Sequence, residues 1–136
     1  MNKSVLIVDD DAKLLRAYER RFHMRFRLFS SPSASSGLTA CKEIGPFAVV
    51  VSDRQMPGMG GIEFLTRVHE LYPATFCVLL TGWCDLGKAV ETGVKPIYQL
   101  LSKPCPLNLL ASTIDDGIVE FHRRLKQLAN EPPLVA

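Results

Sequence analysis

The chain has 136 residues, 47% of them hydrophobic and 22% charged, which are ordinary values for one globular domain with a proper core. Its formal net charge of +2 is too small to indicate a nucleic-acid-binding protein. Its longest apolar runs have the length of strands, and its N-terminus lacks a signal-peptide pattern, so we expect no membrane segment. The four cysteines form no CxxC pair, which favours reduced thiols and a cytoplasmic location.

Short apolar runs alternate along the chain with stretches in which apolar residues recur at helical spacing. Strands that are apolar on both faces and alternate with helices imply a parallel sheet covered on both sides. The sequence therefore predicts a doubly wound α/β domain of five βα units. The predicted strands are Val5–Val8, Phe26–Phe29, Phe47–Val51, Phe76–Leu80 and Ile97–Leu101. The predicted helices span residues 11–23, 33–43, 62–71, 85–92 and 107–128.

Two residues are candidate helix caps. Asp11 opens the first helix, and aspartate is a favoured N-cap because its side chain accepts hydrogen bonds from free backbone N–H groups. Ser33 follows Pro32 at the start of the second helix and is suited to the same role. We therefore expect Asp11 to have a structural function.

Polar residues directly follow the first, third, fourth and fifth apolar runs. In an open α/β sheet, ligands bind outside the carboxyl ends of the strands, so these residues are candidates for one site. Carboxylate and hydroxyl oxygens without Cys or His suit a hard cation such as Mg²⁺ rather than zinc. The residues concerned are Asp9 and Asp10, Ser52 and Asp53, Thr81, and Ser102 and Lys103.

The chemistry of such a cluster depends on its counter-charges. Without a cation, Asp9, Asp10 and Asp53 would raise one another's pKa. With Mg²⁺ and Lys103 close by, all three carboxylates could stay ionised. An aspartate can then act as a nucleophile towards phosphorus, while the metal and the ammonium neutralise the charge of the transferred phosphoryl group.

Four short motifs resemble those of the receiver domains of two-component response regulators. They are "VDD" (Val8–Asp10), "SDRQMPGMGG" (Ser52–Gly61), "LLTG" (Leu79–Gly82) and "LLSKP" (Leu100–Pro104). The wording of "DRQMPGMGG" and "IYQLLSKPCP" is most similar to receivers attached to HD-type hydrolase or hydrogenase-regulator proteins. The resemblance implies a flavodoxin-like (βα)5 fold with strand order 2-1-3-4-5. It also implies a receiver domain over residues 1–129 and a C-terminal tail or linker stub over residues 130–136.

The resemblance assigns roles to the acidic residues. Asp53 would be the phosphoacceptor, receiving its phosphoryl group from a histidine kinase or a phosphotransfer protein. Asp10 and Asp53 would bind Mg²⁺ directly, together with the backbone carbonyl of Gln55. Asp9 would act mainly through metal-bound water. The loop Met56–Gly61 would shape the site, with glycines supplying unusual backbone angles.

The resemblance also assigns roles at the other two strand ends. Thr81 would hydrogen-bond one phosphoryl oxygen and Lys103 would pair with another, and the bond from Lys103 to Pro104 is a candidate cis peptide. One position departs from the family, because Leu100 stands where receivers usually carry Tyr or Phe. Tyr98 is on the same face of the strand but roughly 7 Å further from the site.

The resemblance implies a signalling domain whose phosphorylation changes a surface for an output domain or a protein partner, without nucleic-acid or membrane binding of its own. A phosphorylation-dependent homodimer along the long last helix is a further expectation. Two alternatives stay open. One is a Mg²⁺-dependent phosphohydrolase of haloacid-dehalogenase type, whose DxD pattern Asp9 and Asp11 fit formally. The other is an interaction module with this fold that works without phosphorylation. A flavodoxin is disfavoured because no Ser/Thr-rich phosphate loop follows the first strand.

Overall fold

A computed structural model describes residues 1–82 and 97–130 of the chain. The predicted helix at residues 85–92 and most of the predicted tail lie outside the described residues. Within the described ranges, no helix is both long enough and apolar enough to span a lipid bilayer.

The described residues form five strands and four helices, in close agreement with the predicted elements. The second, third and fifth strands begin and end one or two residues later than expected. The strands are β1 (Ser4–Val8), β2 (Arg27–Ser31), β3 (Val49–Asp53), β4 (Phe76–Gly82) and β5 (Tyr98–Lys103). The helices are α1 (Ala12–Phe22), α2 (Ala34–Glu43), α3 (Gly61–Leu71) and α4 (Leu107–Ala129).

The five strands form one parallel sheet in the order β2-β1-β3-β4-β5, which confirms the predicted topology. The register pairs Val8 with Ser52 and Thr81 with Ser102, so the carboxyl ends of β1, β3, β4 and β5 meet at one edge. This edge is where the polar residues identified in the sequence were expected to converge.

Each face of the sheet is covered by helices, and β1 shows how the sequence achieves this. Val5 and Ile7 pack on the side of α1 and α4, whereas Leu6 and Val8 pack on the side of α2 and α3. All five residues of β1 are buried. Successive strand residues point to opposite faces, so a strand buried on both faces needs an unbroken apolar run.

The local signals for helix starts are confirmed. The side chain of Asp11 accepts hydrogen bonds from the backbone N–H groups of Lys13 and Leu14, at 3.0 and 3.2 Å. Ser33 accepts a 3.1 Å hydrogen bond from the backbone of Ser36. These two caps fix where α1 and α2 begin, and the first of them directly follows the acidic strand end.

Two X-Pro bonds are cis within the described residues. The bond between Lys103 and Pro104 confirms the expectation, and the bond between Gly45 and Pro46 was not anticipated. Three cysteines are described, and all are free thiols. Burial raises the pKa of Cys41 to about 11 and that of Cys77 to about 12, so both behave as unreactive core residues.

Candidate functional site

Three carboxylates meet at the carboxyl edge of the sheet. Asp9, Asp10 and Asp53 each offer a carboxylate oxygen, and these oxygens all lie within 4.8 Å of one another. The fold creates this proximity because Asp9 and Asp10 directly follow β1, Asp53 ends β3, and these strands are neighbours. Three like charges at this spacing need a counter-charge to stay ionised.

Lys103 supplies one counter-charge from the far side of β4. Its Nζ lies 3.0 Å from Oδ1 of Asp53 and 3.3 Å from Oδ2 of Asp9. Because β4 lies between β3 and β5, the lysine side chain crosses the end of β4 to reach the two carboxylates. A long flexible side chain on β5 is therefore required at this position.

Solvent exposure increases across the cluster from Asp9 to Asp10. The side chain of Asp9 is 2% exposed, that of Asp53 is 12% exposed and that of Lys103 is 31% exposed, while Asp10 is exposed to solvent. Asp9 is also held by a 2.9 Å hydrogen bond from the backbone N–H of Asp11. A ligand entering from solvent therefore meets Asp10, Asp53 and Lys103 first.

Burial and charge shift the pKa values of two members of the cluster. Burial raises the pKa of Asp9, and the hydrogen bond from Asp11 and the charge of Lys103 only partly offset it. Burial acts to lower the pKa of Lys103, but its hydrogen bond to Asp53 and the two carboxylate charges outweigh this, so its pKa is raised. Lys103 is therefore firmly cationic at neutral pH.

Thr81 completes the set from the end of β4. Its side chain is 1% exposed, and its Oγ1 has no hydrogen-bond partner within residues 1–82 and 97–130. A buried hydroxyl without a partner is rare and costs free energy. The Thr81 hydroxyl is thus available to an oxygen of a bound group at the edge of the sheet.

The loop after β3 positions Asp53 through two glycines. Gly58 has a φ of +78°, a left-handed conformation that glycine adopts readily, which confirms the expectation for this loop. Gly61 serves a different purpose, since a Cβ there would lie 2.1 Å from the carbonyl oxygen of Asp53. The backbone N–H of Gly61 also donates a 2.8 Å hydrogen bond to the carbonyl of Arg54. The start of α3 is thereby held against the phosphoacceptor candidate.

The donor set fits a hard divalent cation. It consists of carboxylate oxygens with one exposed member, Asp10, and no thiol or imidazole of the described residues belongs to the group. Such oxygen ligands suit Mg²⁺, which keeps several waters and takes one or two carboxylates from the protein. Gln55 is exposed next to Asp53, and the part assigned to its carbonyl remains a prediction.

The structure also locates the position that departs from the family pattern. Leu100 pairs with Leu79 in the sheet, and both Leu100 and Tyr98 pack against the α2–α3 core. Sequence reasoning did not anticipate the hydrogen bond from the backbone of Asp11 to Asp9. The only signal was the local tendency of aspartate to accept from the amide two residues later.

The comparisons with known proteins agree with this geometry. The family model described as "Response regulator receiver domain" matches residues 5–115. The chain belongs to this family. It is 28% identical over 97% of its length to the hydrogenase transcriptional regulatory protein HoxA of Cupriavidus necator.

Solved structures show the same fold. The signal receiver domain of an HD domain-containing protein from Pseudomonas fluorescens Pf-5 has a TM-score of 0.79 and 28% identity, and the alignment covers 90% of this chain and 99% of that one. A structure described as adenylate cyclase from Rhodopirellula baltica has a TM-score of 0.87 and 29% identity, with 96% and 100% covered. The similar proteins thus include a hydrogenase regulator and a receiver of an HD domain-containing protein, the two kinds that the motifs resemble.

This receiver domain spans only a part of the curated relatives it matches. It covers 29% of the length of HoxA and 28% of the length of a phosphoglycerate transport regulator from Salmonella typhimurium. Family membership favours the receiver interpretation over the dehalogenase-like and phosphorylation-independent alternatives.

Proposed function

We propose that this receiver accepts a phosphoryl group on Asp53 and that phosphorylation changes the surface seen by an output domain or partner protein. The observation that carries the proposal is the ion pair between Lys103 and Asp53, 3.0 Å long, beside two further carboxylates and the unpartnered hydroxyl of Thr81. The donor is a phosphohistidine of a histidine kinase or of a phosphotransfer protein.

The reaction is one displacement at phosphorus. A carboxylate oxygen of Asp53 attacks the phosphorus, the bond to the donor's histidine nitrogen breaks, and the nitrogen keeps the electron pair. Lys103 neutralises charge on one phosphoryl oxygen as it releases its contact with the Asp53 carboxylate. Thr81 donates its hydroxyl hydrogen to another phosphoryl oxygen, which gives the buried hydroxyl its missing partner.

Asp10, Asp53 and the carbonyl of Gln55 would hold Mg²⁺ directly, with Asp9 acting through metal-bound water. When bound, the cation supplies positive charge that keeps the carboxylates ionised and screens the incoming phosphoryl group from them. Asp9 is the most buried of the carboxylates and is already held by Lys103 and by the backbone of Asp11. This favours a contact between Asp9 and the cation through water over direct coordination.

The wider context follows from the relatives. Several of them are named as transcriptional regulatory proteins, so we propose a regulator as the output, reached by protein contact rather than by nucleic-acid binding of this domain. The receiver itself spans residues 1–129, with residues 130–136 as a tail or linker stub, acts as a signalling domain rather than an enzyme, and works in the cytoplasm. Exposed Leu125 and Leu128, three residues apart on α4, support a phosphorylation-dependent homodimer contact at the end of that helix.

The decisive experiment is phosphorylation by acetyl phosphate in the presence of Mg²⁺, followed by intact-protein mass spectrometry. We expect a mass gain of a single phosphoryl group in the wild type and none in Asp53→Asn. Asp11→Asn is the matched control, because Asp11 caps α1 and stands outside the carboxylate cluster. A wild type that gains no phosphoryl group, or an Asp53→Asn variant that gains one, would contradict the proposal, and turnover of many phosphate esters per chain would favour a phosphohydrolase.

A further inference from the structure

A cavity of about 600 Å³ adjoins the carboxylate cluster. It lies between α1 and the segment that follows β5, and Lys103 forms part of its wall. Its volume is within the range of small-molecule sites, which are mostly apolar with a few polar groups that fix the ligand. The apolar part of the wall comes from Leu14, Ala17, Pro104 and Leu107.

Lys103 has hydrogen-bonding capacity left for this cavity. An ammonium group has three N–H donors. Two of them serve Asp53 and Asp9 at 3.0 and 3.3 Å. The side chain is still 31% exposed, so the third donor is open to a ligand.

Tyr18 brings a second polar group to the cavity. The residue is 4% exposed, and its hydroxyl makes no hydrogen bond within the described residues, although Tyr18 lines the cavity. Its ring stacks on Phe22 with centroids 6.0 Å apart and an interplanar angle of 11°, which fixes its orientation. Burial raises the pKa of Tyr18, and the charges of Lys103 and Asp9 also act on it, so the phenol stays protonated within electrostatic range of the cluster.

Two exposed cations stand on α1 near the cavity. Lys13 and Arg21 lie four residues before and after Ala17 on α1, and residues at this spacing share a helix face. Both are exposed, and neither belongs to an ion pair within residues 1–82 and 97–130. These two cations offset part of the negative charge of Asp10 and Asp11, which are exposed directly before α1.

We propose that this cavity binds a small hydrophobic carboxylate, with its apolar body between α1 and Leu107 and its carboxylate at Lys103 and Tyr18. The apolar wall favours a hydrophobic body, whereas the ammonium of Lys103 and the phenol of Tyr18 favour an acceptor group that can take their hydrogens. An ionised acceptor also makes a stronger hydrogen bond than a neutral one.

The ligand shares Lys103 with the phosphoacceptor. This consequence rests on the proposed function, because a carboxylate that engages Lys103 competes with Asp53 and with the phosphoryl group for the same ammonium. Coupling between two ligands is reciprocal. Phosphorylation must therefore weaken carboxylate binding by the same factor by which the carboxylate disfavours phosphorylation at equilibrium. The cavity would then report the supply of a small hydrophobic acid to the signalling pathway.

Binding is tested first, without any phosphodonor, by titrating ¹⁵N-labelled protein with 2-naphthoate and with uncharged 2-naphthamide. We expect saturable shifts centred on Leu14, Ala17 and Leu107, and 2-naphthoate binding about tenfold tighter, the size expected for a hydrogen bond to a charged group. Tyr18→Phe, which removes only the hydroxyl, should weaken 2-naphthoate about fivefold for the same reason.

Filling the cavity provides the specific control. Ala17→Phe places a ring in the cavity wall and should abolish binding, whereas Ala12→Phe adds the same ring to an exposed position of α1 outside the cavity wall and should leave binding unchanged. Three results would overturn the proposal: no saturable shift, equal binding of 2-naphthoate and 2-naphthamide, or unchanged binding to a folded Ala17→Phe. Shifts at these residues that only a protein partner produces would assign the cavity to a peptide instead.

The linkage is tested next, with 2-naphthoate present during phosphorylation by acetyl phosphate. We expect slower phosphorylation of the wild type, no effect in Ala17→Phe, and weaker 2-naphthoate binding to the beryllofluoride complex. If 2-naphthoate binds but does not slow phosphorylation of a protein that acetyl phosphate does phosphorylate, the coupling is refuted and the ligand site is not. Binding to a protein that cannot be phosphorylated would instead refute the proposed function alone.

Discussion

Thr75 directly precedes β4 and Thr81 is its penultimate residue, and each is 1% exposed. The hydroxyl of Thr75 donates a 2.7 Å hydrogen bond to the carbonyl of Phe47, whereas the hydroxyl of Thr81 has no partner within the described residues. The same side chain, equally buried at both positions, is thus satisfied at one end of the sheet and left without a partner among the described residues at the other.

The two ends of the sheet differ in the same way elsewhere. At the amino end, Asn2 donates to the carbonyl of Pro46 and accepts from the backbone and hydroxyl of Ser4, so polar groups are matched locally. At the carboxyl end, the fold buries Asp9 beside Asp53 with only Lys103 between them. The amino end therefore contributes to stability, while the carboxyl end retains unsatisfied groups that a bound phosphoryl group and cation would satisfy.

The largest expected difference between the two threonines is in phosphorylation. Thr81→Val should slow phosphorylation of Asp53 by acetyl phosphate about a hundredfold, because removing one preorganised donor to a developing charge has an effect of this order. Thr75→Val should phosphorylate at the wild-type rate. The rates are measured by mass spectrometry over time, and equal rates for both variants would show that the Thr81 hydroxyl has no part in the reaction.

For stability the order of the two variants reverses. Thr75→Val should lower the free energy of unfolding by about 1.5 kcal/mol, because it leaves the buried carbonyl of Phe47 without its donor. Thr81→Val should leave stability unchanged or raise it by up to about 1 kcal/mol, since it removes a buried hydroxyl that lacks a partner. Urea denaturation in Mg²⁺-free buffer measures both free energies of unfolding. A larger decrease for Thr81→Val than for Thr75→Val would contradict the expected order.

Asp9 should likewise lower the free energy of unfolding of the Mg²⁺-free protein, although it belongs to the proposed cation site. Its pKa is raised in the folded state, so the folded protein binds the proton more tightly, and its stability falls as pH rises from the unfolded pKa through the folded one. Asp9→Asn should therefore raise the free energy of unfolding at pH 7 by about 1 kcal/mol without Mg²⁺, since Lys103 keeps its partner Asp53. Urea denaturation between pH 4 and 8 should show a smaller fall in stability for the variant.

The wild type is the control for this experiment, with Mg²⁺ added at pH 7. The cation should raise the unfolding free energy of the wild type more than that of Asp9→Asn, because a ligand stabilises the state that binds it. A variant that is less stable than the wild type without Mg²⁺ would show that the buried carboxylate contributes to stability after all.

The smallest effect is expected far from the site, on α4. The pKa of Glu120 is lowered to about 2 by its hydrogen bond from Arg123, with a further contribution from Arg124. This stabilisation is present above the unfolded pKa and is lost as pH falls through the folded one. Because the pair is exposed to solvent and salt, Glu120→Gln should cost no more than about 0.5 kcal/mol at pH 7.

Asp116→Asn on the exposed face of the same helix is the matched control for Glu120→Gln and should have no measurable effect. Both variants are compared with the wild type by urea denaturation at pH 7 and pH 3. A Glu120→Gln loss that is unchanged at pH 3 would exclude the ion pair as its cause.

Several features of the fold were readable from the sequence because they depend on local chemistry. The apolar runs of β1, β3 and β4 predict strands buried on both faces, and Asp11 and Ser33 predict helix starts that the structure confirms. Strand bounds were less well predicted, since β2 and β3 both begin and end later than the apolar runs that indicated them and include polar residues at their carboxyl ends.

The sequence by itself determined which residues stand at the ends of the strands, because a parallel sheet brings every carboxyl end to one edge. Asp9, Asp53 and Lys103 could thus be grouped before any distance was known. Tertiary structure alone decided that Lys103 crosses β4 to pair with both carboxylates, and that Thr81 has no hydrogen-bond partner in residues 1–82 and 97–130. Those outcomes depend on side-chain reach and burial, which strand order does not specify.

The same reason explains the role of Tyr18. Tyr18 packs in the core with Phe22, four residues further along the buried side of α1. Only the packing of α1 against the segment after β5 places it on the wall of a cavity that it shares with Lys103. Periodicity shows which face of a helix is buried, whereas the space left between two packed elements depends on their three-dimensional arrangement.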